Sequence, residues 1–391
     1  MQPEIKMKSP RIEVADALRG FAVLAIILIH NVEHFNLYFL PEWEPEFLKT
    51  INSYVWEGIF FFFGGKAYAI FALLFGFSFY IQFNNRQNVG KDFSMRFAWR
   101  LVLLFLFGLF NAVFYPGDIL SLYAIVGFTI IPVRKLNDRI VMFIAAFFML
   151  QPVEIGKIVY ALFHPDFVPS SSLEYLWKNT LSGLMSESFL ETVRINLLYG
   201  EPFSLLWAWD NGRFFQTSSL FMIGMLLGRN KRFLFSAENM KFWKRVLLIA
   251  VLVFIPVYLL RMYLSIPSFS EGVRIPLTVI TGSLSNVFFM VILVSSFILL
   301  WYGSRLKKVQ SHLVQYGRMS LTNYITQSIL GSFIYFAYGL GMYQYLGSLF
   351  SLLTGIIIFV VQLCFCKWWL KHHKQGPFER LWHNLTWINS K

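Results

Sequence analysis

Apolar runs of about 20 residues recur along the whole chain, and they constrain its fold more than any other feature. A helix of that length crosses the hydrocarbon core of a bilayer, whereas a membrane barrel shows alternating segments of about ten residues. The 391 residues are 57% hydrophobic and only 14% charged, against roughly 25% charged in soluble domains. The pattern therefore predicts an all-α integral membrane helical bundle.

The boundaries of the apolar runs predict about ten transmembrane helices within a single domain that covers residues 1–391. We place them at residues 15–36, 58–82, 97–115, 118–133, 139–163, 212–229, 246–264, 275–302, 319–341 and 346–370. Three parts lie outside the predicted bundle: the N-terminal flank 1–14, the long loop 164–211 and the C-terminal tail 371–391. Within the long loop, the pattern predicts an interfacial helix around residues 173–198.

The distribution of charge predicts how the chain is oriented in the bilayer. Most of the 34 basic residues fall in the flanks and loops on one side, and the loops on the other side are acidic. Basic loops are typically cytoplasmic, so we predict that both termini are cytoplasmic, in a bacterial plasma membrane. The net charge of +13 is then explained by topology. The expected partners are the lipid bilayer and a small-molecule, glycan or lipid substrate, and we expect no nucleic acid.

Familiar cofactor and metal motifs are missing from the sequence. Cys364 and Cys366 lie inside the last apolar run, without a second cysteine or histidine pair at metal-ligand spacing. The chain has no P-loop, no GxSxG element and no dinucleotide-binding glycine pattern. We therefore predict no metal site and no tightly bound cofactor.

The first predicted span carries five ionisable residues: Asp16, Arg19, His30, Glu33 and His34. Asp16 and Arg19, three residues apart, can pair on one helix face at the cytoplasmic entrance. His30 lies roughly 16 Å deeper at about 1.5 Å per residue, and His34 follows one turn later. Ionisable groups at such depth usually face a bundle interior or a cavity. Because imidazole titrates near neutral pH, His30 is the candidate general base, with a packed, hydrogen-bonded histidine as the alternative.

Other polar residues interrupt later spans. Lys66 follows the pair Gly64-Gly65, which indicates close helix contact or an unwound turn. Snorkelling toward the outer surface is the alternative explanation for this lysine. The remaining polar residues of this kind flank turns or open spans: Asn111, Asp118, Arg213 and Gln216. Asp118 suits a helix cap, and the others suit either a cavity or the membrane interface.

The ninth span begins with the densest polar stretch, YGRMSLTNYITQSILG. Asn323, Gln327 and Gly331 are four residues apart and form one stripe on a helix. We predict that the stripe lines a cavity, although polar contacts between helices are the alternative.

Several stretches together resemble a known group of proteins. They are RIEVADALRGFAVLAIILIHN, GGKAYAIFALLFGFSF, GLFNAVFYPGDILSLYAIVGF, FMIGMLLGR, YGRMSLTNYITQS and GPFERLWHNLTW. They are similar to the YeiB-type family of bacterial membrane proteins, which carries the domain of unknown function 418. That family resembles, more distantly, the family 3 O-acyltransferases and the heparan-glucosaminide N-acetyltransferases of membranes.

The resemblance also implies roles for two residues. In the family 3 enzymes, the functional Arg and His of the first span are separated by ten residues, as are Arg19 and His30 here. The YeiB-type pattern usually has Asn at the position of His30 and His at the position of Asn111, so this chain exchanges the two. It also lacks a hydroxyl at Ala72.

These observations predict a membrane-embedded acyltransferase that takes an acyl group from a cytoplasmic donor such as acetyl-coenzyme A (acetyl-CoA). The acceptor is expected to be an envelope glycan or lipid. The alternative is a transporter of a small organic compound, since intramembrane polar residues line substrate paths equally well. The candidate catalytic residues are His30 and Arg19. The candidate substrate-binding residues are Asp16, His34, Lys66, Asn111, Asp118, Arg213, Gln216, Asn323 and Gln327.

Overall fold

The computed structural model describes residues 11–35, 41, 44–169, 173–264 and 269–388, except for the side chain of His34. All regular elements in these ranges are helical, which confirms the all-α prediction. The first eight helices are α1 Glu13–Ile29, α2 Glu46–Phe63, α3 Ala67–Gln87, α4 Ser94–Ala112, α5 Leu120–Gly127, α6 Ile130–Val133, α7 Asp138–Met149 and α8 Pro152–Phe163. The next six are α9 Leu173–Leu184, α10 Phe189–Ile195, α11 Glu201–Asp210, α12 Arg213–Arg229, α13 Ala237–Leu264 and α14 Glu271–Gly303. The last five are α15 Lys307–Gln310, α16 His312–Arg318, α17 Ser320–Tyr335, α18 Ser348–His372 and α19 Pro377–Thr386.

Five helical segments of the described chain are long and apolar enough to cross a membrane. A sixth results if α7 and α8, which meet at a 48° bend, form one span. Helices α1, α12 and α17 have only 17, 17 and 16 residues. The count of ten and the cytoplasmic termini therefore stay predictions. Helix α13 packs mainly on α14 and leaves a long apolar surface exposed, as a lipid-facing helix does.

The predicted span 58–82 is divided in two by a turn at Gly64–Lys66, after α2 and before α3. Gly65 has a φ of +72°, which is strained for a residue with a side chain. The amide of Asn286 also occupies the space where a Cβ at this position would lie. The chain therefore leaves helical geometry beside Lys66, as the glycine pair indicated, although the predicted span ran straight through it.

The long connection 164–211 is not an open loop. It folds into α9, α10 and α11, so the predicted interfacial helix around 173–198 is two helices rather than one. The connection is anchored to the turn after α4, because Asn196 donates a hydrogen bond to the carbonyl of Val113 over 3.2 Å. Ser204 likewise donates to the carbonyl of Asp118 over 3.1 Å. These contacts hold the connection against the end of the bundle.

Two pairs of helices make direct backbone contact at glycines. Helices α3 and α12 lie side by side, and a Cβ on Gly76 or Gly224 would overlap a carbonyl of the partner helix. Helices α1 and α16 meet in the same way at Gly20 and Gly317. Small residues let helix backbones approach closely in membranes, so these glycines set the positions of α1, α3 and α12.

A carboxylate on the C-terminal helix caps the start of α17. Glu379 accepts hydrogen bonds from the backbone N–H groups of Leu321 and Thr322, over 2.7 and 3.1 Å. It also accepts one from the Thr322 hydroxyl over 2.6 Å. Burial raises the pKa of Glu379, against the opposite effect of these hydrogen bonds. The contact fastens α19, which lies outside the spanning segments, to the bundle.

We expect Glu379→Ala to lower the free energy of unfolding by about 1–3 kcal/mol, because two buried N–H groups lose their acceptor. Glu379→Gln keeps an acceptor oxygen and should lose less. The unfolding midpoint of the purified protein in detergent measures both. Glu238→Ala is the control, since the side chain of Glu238 is 81% exposed. Equal midpoints for wild type and Glu379→Ala would contradict a capping role.

Candidate functional site

A cavity of about 1690 Å³, partly open to the outside, lies where α3 and α12 begin. Its walls come from α1, α2, α3, α12, α13 and α14 and from the turn before α5, and helices α9 and α11 of the long connection also line it. The volume exceeds the roughly 300–1,000 Å³ of most small-molecule pockets. Five of the predicted site residues line it: His30, Lys66, Asp118, Arg213 and Gln216.

His30 lies at the point where α1 changes its geometry. The regular helix ends at Ile29 and continues as a wider π-helical turn over His30–Phe35. Such turns are rare and are often found at functional sites. The imidazole is 9% exposed and packs against the ring of Tyr115, with 4.6 Å between centroids, and near that of Tyr324. His30 is therefore a buried histidine on the cavity wall, as predicted.

Asp118 carries a hydrogen-bond network at the same end of the cavity. Its carboxylate accepts from the side-chain amide of Asn111 over 3.0 Å and from the backbone N–H of Ser121 over 2.8 Å. The second bond caps the first turn of α5, as the Pro116-Gly117 turn predicted. The Tyr324 hydroxyl accepts from the N–H of Ile119 over 3.2 Å. Asn111 is fully buried and supports Asp118, but it is not among the described residues that line the cavity.

The carboxylate of Glu201 faces this network, and the sequence analysis did not select it. Glu201 is 5% exposed, and its charge interacts with that of Asp118. Neither carboxylate oxygen has a hydrogen-bond partner among the described residues. In the sequence, Glu201 is one of several acidic residues in a predicted loop. Only the packing of α11 on the bundle brings it to Asp118.

Gln151 is a second residue that the sequence analysis missed. It has a φ of 58° between α7 and α8, and its amide donates to the carbonyl of Gly212 over 2.9 Å and to the Ser283 hydroxyl over 3.0 Å. These bonds join the α7–α8 bend to α12 and α14. The only available signal was the Gln-Pro pair in an apolar run, which indicates a bend and not its partners.

Lys66 lies on the cavity wall at the N-terminus of α3. It is 7% exposed. Its ammonium contacts the backbone carbonyl of Phe60 at 3.4 Å and lies 5.5 Å from the centre of the Phe289 ring. Within the described ranges, no carboxylate lies within ion-pair distance of this ammonium. Asn286, which also lines the cavity, has a buried side-chain oxygen without a hydrogen-bond partner there.

Arg213 and Gln216 open α12 on the same wall. The Arg213 guanidinium lies 4.3 Å from the ring centre of Tyr68 and 4.2 Å from that of Trp207. Gln216 accepts a hydrogen bond from the Tyr68 hydroxyl and donates to the carbonyl of Ser283 over 2.9 Å. Tyr68 therefore ties the first turn of α3 to the first turn of α12.

The predicted pair of Asp16 and Arg19 forms, but it lies away from the cavity. Arg19 contacts Asp16 over 2.7 Å and donates to the Ser78 hydroxyl over 2.9 Å. Asp16 also pairs with Arg11. Neither Asp16 nor Arg19 is among the described residues of the cavity wall. Arg19 therefore lies near the start of α1, away from the cavity, whereas His30 lies on the cavity wall at the other end of the helix.

The polar stripe of the ninth span faces another helix. The Asn323 amide donates to the carbonyl of Tyr316 over 2.9 Å and contacts the thiol of Cys366 on α18. Gln362 of α18 donates to the carbonyl of Asn323 over 3.0 Å. Gln327 is buried, and neither amide atom has a partner in the described ranges. Asn323 and Gln327 do not line the cavity in this structure, whereas their neighbour Tyr324 does.

Two further predictions concern His34 and metal binding. The side chain of His34 lies outside the described residues. Among the described residues, no group of three or more His, Cys, Asp or Glu side chains is arranged to hold a metal ion.

The fold and the cavity define a helical membrane protein with a large cavity between its helices, whose wall carries several charged and polar side chains. Two family models match separate parts of this chain. Residues 11–169 match the model described as "Heparan-alpha-glucosaminide N-acetyltransferase, catalytic", and residues 227–389 match "Protein of unknown function (DUF418)". The first match contains His30, Lys66, Asn111 and Asp118.

Similarity to individual proteins covers the full length of the chain. The uncharacterized protein YxaH of Bacillus subtilis (strain 168) is 26% identical, over 100% of this chain and 97% of its own. An uncharacterized 39.9 kDa protein of Bacillus acidopullulyticus is 26% identical, over 96% and 94%. The uncharacterized protein YeiB of Escherichia coli (strain K12) is 25% identical, over 95% of each chain. No solved structure gives a significant match. The resemblance to YeiB-type proteins and to membrane acetyltransferases is thus confirmed.

Proposed function

We propose that the protein is a membrane-embedded acyltransferase. The observation that carries the proposal is that the part of the chain similar to an acetyltransferase catalytic region supplies His30, which lies on the wall of the large cavity. The donor is a cytoplasmic acyl thioester, with acetyl-CoA as the cosubstrate. The acceptor is a hydroxyl or amine of an envelope glycan or lipid that enters the cavity from outside the bacterial plasma membrane.

In this proposal His30 acts as general base. It takes the proton from the acceptor hydroxyl or amine as that atom forms a bond to the acyl carbon. The carbon–sulfur bond breaks, and the thiolate leaves with its electron pair and is protonated afterwards. Asn111 positions Asp118, which fixes the turn beside the base.

The donor approaches from the predicted cytoplasmic side, where α1 begins. Arg19 is only partly buried there, and guanidinium groups suit the phosphates of coenzyme A. Its contacts with Asp16 and Ser78 hold the side chain in one orientation. Arg19 thus binds the phosphates of the donor, while the arm of coenzyme A that carries the thioester extends toward His30.

Binding of acetyl-CoA to the purified protein in detergent tests the donor side of this proposal. We expect saturable binding that Arg19→Ala weakens about tenfold or more, because a charge-assisted contact with phosphate is lost. Lys241→Ala is the control, because Lys241 is an exposed residue of α13 on the same predicted side. Binding that both substitutions reduce equally would show nonspecific attraction. Absence of binding in the wild type would refute the donor assignment.

The second candidate is a transporter, and the specific observation in its favour is the size of the cavity. A volume of about 1690 Å³ accommodates a whole small organic molecule, not only an acceptor group. Proteoliposomes distinguish the two functions. Flux of an unmodified compound without release of free coenzyme A favours transport, and release of coenzyme A that depends on an acceptor favours acyl transfer.

A further inference from the structure

Two cations on the inner wall of the cavity have no carboxylate partner among the described residues. The ammonium of Lys66 is buried against a backbone carbonyl and aromatic rings. The Arg213 guanidinium is stacked on Tyr68 and Trp207, and it donates no hydrogen bond within the described part of the chain. A buried charge without a counter-ion is costly inside a membrane protein, and such groups usually mark a substrate site.

Both cations lie at the start of α3, one along the chain and one through Tyr68. Lys66 immediately precedes α3, Tyr68 is in its first turn, and the Arg213 guanidinium covers the Tyr68 ring at 4.3 Å. Both cations therefore flank the N-terminus of α3. They belong to the cavity wall, so a ligand in the cavity reaches them without passing through protein.

The helix ends at this wall add further positive potential. Tyr68 contacts Gln216 near the starts of α3 and α12, and Tyr80 meets Gly228 near their ends, so the two helices run parallel. Their N-termini consequently face the cavity together, and neither has a side-chain cap. The unpaired N–H groups and dipoles of helix N-termini attract anions. Together with Lys66 and Arg213, they make an environment complementary to an oxyanion.

Negative charge in the cavity is placed elsewhere. Glu33, Glu57 and Glu174 line it; Glu57 and Glu174 are exposed, and Glu33 is half-buried in the π-helical turn after His30. Asp118 is buried, but its two oxygens are engaged by Asn111 and Ser121. Neither arrangement places a carboxylate beside Lys66 or Arg213 in the described structure. In the described structure, the carboxylates that line the cavity are thus not paired with the two cations.

We propose that the wall formed by Lys66, Arg213 and the N-termini of α3 and α12 binds an oxyanion, a phosphate or carboxylate group carried by the substrate. Guanidinium and ammonium groups suit both anions. The inference deepens the proposed function and rests on it for one point, that the anion belongs to the acyl acceptor. The acceptor class is then an acidic one, either an anionic lipid head group or an acidic or phosphorylated glycan.

Calorimetric titration of the purified protein in a neutral detergent tests the site with three probes. They are inorganic phosphate, glucuronate, and mixed micelles that contain phosphatidylglycerol. Saturable binding of any one supports the site, and the strongest probe identifies the source of the anion. We expect Lys66→Met and Arg213→Gln each to weaken that binding about tenfold or more, and Lys66→Arg to retain most of it. No saturable binding of any probe by the wild type would overturn the proposal.

The matched control is Arg194→Gln. Arg194 is on α10, in the long connection 164–211. Its side chain is 71% exposed, and it is not among the described cavity residues. We expect unchanged binding in this variant. An equal loss in Arg194→Gln and Arg213→Gln would show that surface charge alone attracts the probes, and would also overturn the proposal.

The unfolding midpoint supplies an independent measurement. Without a ligand, Lys66→Met should unfold at a temperature equal to or above that of the wild type, because it removes a buried charge without a counter-ion. The bound probe should raise the midpoint of the wild type and not that of Lys66→Met. A variant that unfolds at a lower temperature and still responds to the probe would assign Lys66 a structural role and contradict the site.

The outcomes separate this inference from the proposed function. Anion binding that depends on Lys66 and Arg213, in a protein that releases no coenzyme A with any acceptor, would preserve the anion site and refute the acyltransferase. Acyl transfer that continues unchanged with neutral acceptors, and is insensitive to Arg213→Gln, would preserve the acyltransferase and refute the anion site.

Discussion

Replacing His30 with glutamine should reduce acyl transfer by about 10²–10⁴-fold, the usual contribution of a general base. Glutamine retains much of the shape and hydrogen-bonding capacity of the imidazole, but it cannot take a proton from the acceptor. Binding of acetyl-CoA should be unchanged, because His30 is at the cavity and Arg19 is at the start of α1. Release of free coenzyme A in the presence of an acceptor measures the loss.

His372→Gln is the control for this experiment, since His372 is an exposed residue at the end of α18. A second variant exploits the exchange of His and Asn that the YeiB-type resemblance implies. His30 packs on Tyr115, and Asn111 binds Asp118 and accepts a backbone bond from Tyr115, so both positions belong to one corner of the structure. We expect the double variant His30→Asn, Asn111→His to regain part of the activity that His30→Asn loses. Full activity in His30→Gln would remove His30 from the mechanism.

Replacing Gly224 with leucine should prevent correct folding or lower the free energy of unfolding by at least about 3 kcal/mol, the upper end of the usual cost of overpacking. A Cβ at this position would overlap the backbone carbonyl of Leu73 on α3, and a backbone cannot move aside as a flexible side chain does. The two helices would have to separate. The yield of monodisperse protein and the unfolding midpoint in detergent measure the effect.

Gly156→Leu provides the matched comparison. Gly156 is also a helical glycine, in α8, but a Cβ there meets no atom within 4 Å. Since leucine has the higher helix propensity, Gly156→Leu should leave the unfolding midpoint unchanged or raise it slightly. Similar behaviour of the two leucine variants would show that the close contact of α3 and α12 is not essential.

The sequence predicted those features that depend on neighbours along the chain. Apolar runs of helical length predicted an all-helical fold, the spacing of Asp16 and Arg19 predicted their ion pair, and the Pro116-Gly117 turn predicted the cap by Asp118. In the last two cases the partner residue lies within one turn along the chain, where local backbone geometry alone determines the distance.

The sequence could not predict partners that meet only through packing. Glu201 reaches Asp118 because α11 folds back on the bundle, and Asn323 faces α18 because of how α17 is rotated. The polar stripe was recognised, but which of two faces a helix presents to a cavity depends on its neighbours. Likewise, the spacing of Arg19 and His30 predicted how far apart they lie along the helix axis. It could not predict that the cavity reaches His30 and not Arg19.

The π-helical turn that begins at His30 separates two parts of the first span that pack against different helices. Before His30, the angular phase of the helix is set by backbone contact between Gly20 and Leu313 of α16. After it, Phe35 stacks on Tyr335 and presses against Gly331 of α17. A regular helix would fix the direction of the Phe35 side chain relative to the face that carries Gly20. A π-helical turn adds one residue and therefore changes this relative direction. His30, the first residue of this turn, therefore lies where the orientation of α1 side chains changes from the one that suits α16 to the one that suits α17.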